Sequence, residues 1–236
     1  MLVVLFLNAS VFAEEPQLLR GVVVSELVVD LPVKVGGQVS HLNVKPGQSF
    51  RRGEVLAKVD CRLYEATQEQ ITAQRSYLNT KSTIIQKLRM QGAASELQVA
   101  EVEAALANSV IDLKIASINV ESCQIKAPFD GVVDARLKSQ FEYVHPGDAL
   151  FRLVSLEPQS LKVLVSLPSN MISIDLMQTS FAFSPDEISG TFDLSLDRSA
   201  QTIDPKNQSV EVWLSSQEGL RGLIPGMSGD LAVGVP

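Results

Sequence analysis

The residues of this chain with the widest chemical reach are few: Cys61 and Cys123, His41 and His145, and a serine, Ser228, set among glycines. Cysteine and histidine bind metal when four ligands converge, commonly from Cys-x-x-Cys pairs. Neither cysteine sits in such a pair and the chain holds only two histidines, so no metal centre is expected. His41 and His145 are read instead as solvent-facing residues on corresponding turns of two half-units. Gly226-Met227-Ser228-Gly229 lacks the Gly-x-Ser-x-Gly frame of a nucleophile elbow and follows a Pro-Gly turn. Asp204, before Pro205, is a turn residue. No catalytic constellation and no cofactor site emerges, and the chain is read as a non-enzyme. The chemistry that remains is a disulfide, because an even cysteine count favours a bridge in an oxidising compartment.

The N-terminus bears on the compartment. MLVVLFLNASVFAEEP has an apolar run from Leu2 to Leu7, then Val11-Phe12-Ala13 before Glu14. Residues 1–13 are therefore read as a signal peptide cut after Ala13, although the usual basic segment is missing. The alternative is a buried first strand. No cysteine follows the cut, so a lipid anchor is not expected. The formal charge of −7 argues against a nucleic-acid partner, which calls for a basic face. No run of about 20 apolar residues is present to span a bilayer.

These few residues must be positioned by elements whose texture changes three times. Residues 20 to 60 hold short Val-rich runs bounded by Gly-Gly, Pro-Gly and Arg-Gly, which read as strands and tight turns. From Cys61 to about Val120 there is no proline, a single glycine, and abundant Ala, Gln, Glu, Lys and Leu, all good helix formers. From Cys123 the strand texture returns, and after Leu156 a third region begins, with strands expected at 161–167 and 210–214. Gly92 suits a helix end, and Ser95 followed by Glu96 and Gln98 suits a new start. Two helices of about 27 residues, each about 40 Å long, therefore run out and back as an antiparallel coiled-coil hairpin.

The second helix carries two apolar stripes. Val99, Val102, Leu106, Leu113, Ala116 and Val120 follow a three-four spacing, with Ser109 as the polar interruption. Leu97, Ala104, Ile111 and Ile118 form another heptad series about 200° further around the helix. The first helix answers with Ile71, Leu78 and Ile85 on one side and Leu63, Tyr77 and Ile84 on another. One seam suffices for a two-helix hairpin. The second stripe asks for a further partner: neighbouring hairpins, another protein, or the chain's own β-regions.

The strand regions repeat each other. Gly37, Val39, Gly53, Leu56 and Val59 recur as Gly131, Val133, Gly147, Leu150 and Leu153. Over residues 31–60 and 123–154 this resembles the two half-motifs of biotinyl/lipoyl carrier domains, which close into a flattened β-sandwich. True carriers hold a cofactor-bearing Lys on the turn between halves; here the helical region 61–122 replaces that turn, so the resemblance implies the fold without the carrier function. A split lipoyl-like domain with an inserted hairpin is similar to the periplasmic adaptor (membrane fusion) proteins of tripartite efflux pumps, of the HlyD and RND type. Ala127-Pro128-Phe129-Asp130-Gly131 is typical of that family, as are Ile203-Asp204-Pro205, the Val-rich segment at 209–212 and Leu223-Ile224-Pro225-Gly226-Met227 in a small β-barrel domain.

That resemblance implies a mainly β chain, with residues 14–30 and 155–236 forming the barrel. It implies a non-catalytic periplasmic adaptor, peripheral to the inner membrane, that oligomerises and links an inner-membrane transporter of RND or ABC type to an outer-membrane TolC-like channel. The family's tip motif is an Arg, a Leu four residues later and a Ser seven further on. The matching positions here are Ile84, Leu88 and Ser95, with the Arg replaced and Lys81 or Lys87 as substitutes for its charge. The chain also ends at Pro236 without the membrane-proximal domain of many relatives. The alternatives are a lipoyl or biotin carrier and a periplasmic ligand-binding or regulatory subunit of a transporter. Finally, Cys61 and Cys123 lie equally far before and after Gly92. A hairpin turning there sets them opposite each other at its base, where a disulfide is expected; the alternative is two unrelated buried thiols.

Overall fold

The computed structural model describes residues 19–171 and 176–234, so the signal-peptide reading of residues 1–13 lies outside the described residues. The chain divides into two compact units, one up to Glu26 and from Leu156 onward, the other Leu27–Ser155. The second unit thus begins at Leu27 and not at residue 31. Strand β2 (Val28–Pro32), expected with the barrel, pairs instead with β9 (Ala149–Val154).

Within Leu27–Ser155 the repeat is a repeat of backbone. Strands β3 (Gly37–Leu42), β4 (Ser49–Phe50) and β5 (Val55–Val59) recur, each 94 positions on, as β7 (Gly131–Arg136), β8 (Tyr143–Val144) and β9. The short β6 (Gln124–Lys126) stands in the same relation to β2. One sheet runs β2-β9-β7-β4 and the other β6-β5-β3-β8, so exchanging the two copies turns one sheet into the other. The pseudo-two-fold extends to single hydrogen bonds. Gly53 N–H donates to Ala127 O at 2.8 Å, and Gly147 N–H donates to Val33 O at 2.9 Å. Between the sheets lie Val39, Phe50, Leu56, Val59, Ile125, Val133, Val144, Leu150, Phe151 and Leu153, all buried. Alternation accounts for part of this set, as with Phe151 and Leu153 two apart in β9, while the adjacent Leu150 is buried as well.

The other unit is a closed barrel in the order β1-β10-β13-β12-β11-β14. Its strands are β1 (Leu19–Ser25), β10 (Leu161–Pro168), β11 (Phe181–Pro185), β12 (Phe192–Ser199), β13 (Ser209–Ser215) and β14 (Ser228–Val233). Val23, Val163, Val165, Phe181, Phe183, Val212, Leu214 and Leu231 fill it. Closure leaves no edge along which another chain could pair. Arg20 spans the β11–β14–β1 junction, bonding Asp186 at 2.6 Å and Asp230 at 3.0 Å. The guanidinium holds the Asp186 carboxyl below its usual value. Arg198, paired with Glu26 and Asp197, stacks 4.8 Å above the Trp213 ring.

His41, His145, Asp204 and Ser228 fall in strands and turns. His41 lies within β3 and is the repeat mate of Ala135, whereas His145, before β9, is the mate of Arg51. The two histidines are not equivalents, which corrects the reading of corresponding turns. Asp204 bridges to Ser209 and its carboxylate accepts from Lys206 N–H at 2.8 Å. Ser228 opens β14, with its hydroxyl receiving the Arg20 guanidinium at 3.2 Å.

Gly131 shows how tightly neighbouring strands β7 and β9 fit. A Cβ there would stand 2.3 Å from Val154 O, inside van der Waals contact with backbone that cannot rotate away. Gly131→Ala should destabilise this unit by about 1–3 kcal/mol, the usual range for overpacking. Gly47→Ala, at φ 83° with nothing within 4 Å, meets only the left-handed penalty of about 1–2 kcal/mol. Denaturant titration of both variants checks this, and an unchanged midpoint for Gly131→Ala would contradict the close packing described.

Candidate functional site

The long helical insertion is built by ordinary local signals. Helix α1 (Arg62–Met90) starts straight after β5, and α2 (Glu96–Ser122) leads straight into β6. At the start of α1 the Asp60 carboxylate accepts from Arg62 N–H at 3.2 Å and pairs with the Arg62 guanidinium at 2.6 Å. Those contacts hold the Asp60 carboxyl below its usual value, the guanidinium bonds being the main cause. Stability from this pair is therefore present above the ordinary carboxylate range and lost as the pH falls below it. Tyr64 Oη donates to Gly36 O at 3.0 Å, fastening the first turn to the sandwich.

The two helices pack on each other along the first stripe. Leu78, Val99, Val102 and Ala116 are buried there, with Ile71, Ile85, Leu106, Leu113 and Val120 half-buried. Ser109, the polar interruption, is buried too, and its hydroxyl donates to Leu106 O at 2.7 Å. That internal bond removes the penalty of an unpaired hydroxyl. Gln68 Nε2 donates to Ser117 Oγ at 2.9 Å and Gln86 Nε2 to Glu103 Oε1 at 3.2 Å, which fixes an antiparallel register.

At the far end the chain reverses in a few residues. Gly92 adopts φ 71° and Ala93 N–H donates to Leu88 O at 2.8 Å, a glycine-terminated helix end. Ser95 then caps α2: its Oγ accepts from Gln98 N–H at 3.2 Å, while Gln98 Oε1 accepts from Ser95 N–H at 2.9 Å. This is a reciprocal capping box. Of the three tip residues, Ile84 and Leu88 present apolar surface to solvent, whereas the Ser95 hydroxyl oxygen is already committed to the cap. The guanidinium nearest the tip is Arg89, one residue beyond Leu88, pairing with Glu96 at 3.2 Å. Its position beside Leu88 is the sequence signal for it.

The second stripe faces outward. Leu97, Ile111 and Ile118 are 68%, 57% and 51% exposed, and Ala104 between them is exposed as well. Val110 and Ile115 widen this surface, and on α1 Leu63, Tyr77 and Ile84 are likewise exposed. Apolar patches of this extent, rimmed by charge, mark interaction surfaces. At the opposite end of the hairpin the structure joins Cys61 to Cys123, with Sγ atoms 1.99 Å and Cα atoms 5.8 Å apart. Val59 N–H donates to Cys123 O at 2.9 Å beside it. Among the described residues no group of three or more His, Cys, Asp or Glu could hold a metal ion, and no helix is long and apolar enough to cross a membrane.

Comparison with known proteins meets this architecture from outside. Residues 27–156 match the model of the RND MFP, barrel-sandwich hybrid domain family. The nodulation protein NolF of Rhizobium meliloti is 27% identical over 209 residues, covering 84% of this chain and 55% of that protein. An uncharacterized protein of Haemophilus influenzae is 25% identical over 208 residues, with coverage of 87% and 54%. The chain thus spans about half the length of the curated relatives it matches. Among solved structures, a MacA-MexA chimera containing the Pseudomonas aeruginosa MexA α-hairpin domain shares the fold with TM-score 0.77 at 20% identity, covering 93% of this chain and 80% of that one.

The bridge at the neck closes a loop whose ends lie 62 residues apart, and closure of that length stabilises by about 4 kcal/mol in the chain-entropy model. Replacing both cysteines by serine should lower the denaturation midpoint of the Leu27–Ser155 unit by a corresponding amount. Reductant should do the same to the parent and nothing to the variant. Equal midpoints for reduced and oxidised parent would remove the cross-link from any account of stability.

Proposed function

We propose that this chain, which belongs to the RND membrane fusion protein family by its barrel-sandwich hybrid domain, works as a non-catalytic periplasmic adaptor. In this reading it oligomerises through its hairpin and lipoyl-like unit and links an inner-membrane transporter of RND or ABC type to an outer-membrane TolC-like channel. The observation that carries the reading is the division of the α-hairpin surface. One stripe holds the two helices together, and a second, of Leu97, Ala104, Ile111 and Ile118, is left outward with nothing among the described residues covering it. A coiled coil that needed only to fold would not keep that second stripe apolar. The rest suits an adaptor. The sandwich sets both ends of the hairpin side by side, and the Cys61–Cys123 bridge stiffens the joint on which it stands. The tip formed by Ile84, Leu88 and the capped turn at Ser95 is the surface offered to the channel, with Arg89 supplying the cation that position 84 lacks.

Two substitutions test this reading. Ile111→Asp lies on an exposed site, so it should move stability by no more than about 0.5 kcal/mol. It should nevertheless abolish export in cells and co-purification with an inner-membrane transporter and an outer-membrane channel. A collapse of the melting temperature would make the stripe internal core instead. Ile84→Arg adds a guanidinium able to make paired hydrogen bonds and should raise cross-linking to the outer-membrane channel. Reduced capture would show that this tip docks by another geometry.

A further inference from the structure

The Cys61–Cys123 bridge is not sealed in the interior. It stands in the wall of a cleft of about 630 Å³ at the root of the hairpin, lined also by Gln38, Ser40, Lys58 and Phe141. The two sulfurs are unequally open to that cleft. Cys61 is half-buried, whereas Cys123 is only 3% exposed. A thiol entering the cleft therefore meets Cys61 first, and which sulfur of a disulfide is attacked depends on access.

The same backbone has room for the open, dithiol form. Cys61 Sγ stands 3.6 Å from Val120 O, and Cys123 Sγ stands 3.5 Å from Asn119 O. With the bond open, each S–H has a carbonyl acceptor beside it, so neither is left unpaired. The root keeps other fastenings too: β5 pairs with β6, and Tyr64 Oη donates to Gly36 O. The helix ends also separate the two sulfurs electrically. Cys61 is the N-cap residue of α1 and Cys123 the C-cap residue of α2. The helix dipoles therefore favour negative charge on Cys61 and disfavour it on Cys123. A cysteine at a helix N-terminus ionises more readily. Of the open pair, Cys61 is the one that carries the reactive thiolate.

We infer that Cys61 is a thiol-exchange site, through which a dithiol entering the cleft opens the neck bridge and its disulfide form closes it again. In opening, a thiolate of the dithiol attacks Cys61 Sγ. A mixed disulfide forms as the Cys61–Cys123 bond breaks, and Cys123 leaves as a thiolate that takes up a proton. The second thiolate of the dithiol then attacks its partner sulfur in the mixed disulfide and expels Cys61. The bridge has gained two electrons and two protons, and the dithiol has become a disulfide. Closing runs these steps in reverse, with the Cys61 thiolate as the attacking group. The staple at the hairpin root is thus set by the supply of dithiol, a property that does not depend on the adaptor reading.

The experiment has two arms, both on the full chain under native conditions. In the first, the parent is treated with dithiothreitol, and opening is followed by alkylation of the released thiols while circular dichroism follows the helices. The opening rate should rise in proportion to dithiothreitol and stay unchanged in dilute urea, with the helical signal retained. Oxidised glutathione should then restore the bridge. Opening that is independent of dithiothreitol and accelerated by urea would overturn the proposal, because the bond would then be reached only through unfolding. So would loss of the helical signal on opening, or failure to reclose. In the second arm, Cys123→Ser and Cys61→Ser are exposed to oxidised glutathione, and mass spectrometry times the mixed disulfide. Cys61, alone in the first variant, should react about tenfold or more faster than Cys123 alone in the second. Equal rates, or a faster Cys123, would overturn the assignment of Cys61 as the exchanging sulfur. The first arm uses the unaltered chain, so it decides the matter even where a serine variant folds poorly.

Discussion

The interlock of the two half-motifs is the constraint from which the rest follows. Neither half builds a four-stranded sheet alone: β4 of the first pairs with β7 of the second, and β8 of the second pairs with β3 of the first. Val39 N–H donates to Glu142 O at 2.9 Å, and Val133 N–H donates to Gln48 O at 3.0 Å. A chain that lost either copy would leave these buried groups unpaired, each at a penalty of about 1–3 kcal/mol. Because each half needs the other, the chain ends between them are forced together, with β5 and β6 paired directly. A helical hairpin is a natural element to insert at that point, since it begins and ends at one place.

What the base fixes, the hairpin spends on surface. Two helices in contact can bury one stripe each, and the buried residues Leu78, Val99, Val102 and Ala116 use that capacity. Ser82 and Ser109 are buried along the seam as well. The remaining apolar side chains gain nothing from folding the monomer. The barrel behaves in the opposite way, with its apolar side chains turned inward and its surface knit by the ion pairs of Arg20 and Arg198. Over half of the exposed large apolar side chains among the described residues thus lie on the hairpin.

Local residue signals located most of this arrangement. Gly92 and Ser95 bound the turn between helices because a left-handed end and a capping side chain are read from residue type. The glycines at 37, 53, 131 and 147 exposed the repeat because only glycine serves such positions. The same logic failed where the backbone was kept and the glycine was not. Phe141 takes φ 68° at the site equivalent to Gly47, so that turn hides in the sequence while persisting in the structure. Strand β2 is not placed by sequence, because Val28 to Pro32 carries no turn landmark linking it to Gln124–Lys126, its counterpart. The order of strands around the barrel is beyond local patterns altogether, since β1 pairs with β14 across some 200 residues. The two histidines invite pairing by residue type, and the 94-residue offset does not support it. The outward stripe needed nothing but heptad spacing, and the cysteine pair nothing but symmetry about Gly92.

The bridge at the neck sits where it can act on more than the hairpin. The strand pairings that join the two halves connect residues far apart in sequence, such as Val39 with Glu142 and Gln48 with Val133. Ordering such distant segments carries a loop-closure entropy that grows slowly with the length between them. Once Cys61 and Cys123 are joined, the 62-residue excursion becomes a side branch, and residues 27–60 and 124–155 behave as neighbours along one short chain. The closure term for every inter-half contact then falls together, whether or not the helices have formed. A bridge at the tip, between residues around 88 and 96, would close only a small loop already shut by the Gly92 turn and the Ser95 cap, and would do nothing for the sandwich. Position, not strength, makes this cross-link effective: the same bond that holds the hairpin's root also shortens the path between the two halves that must find each other.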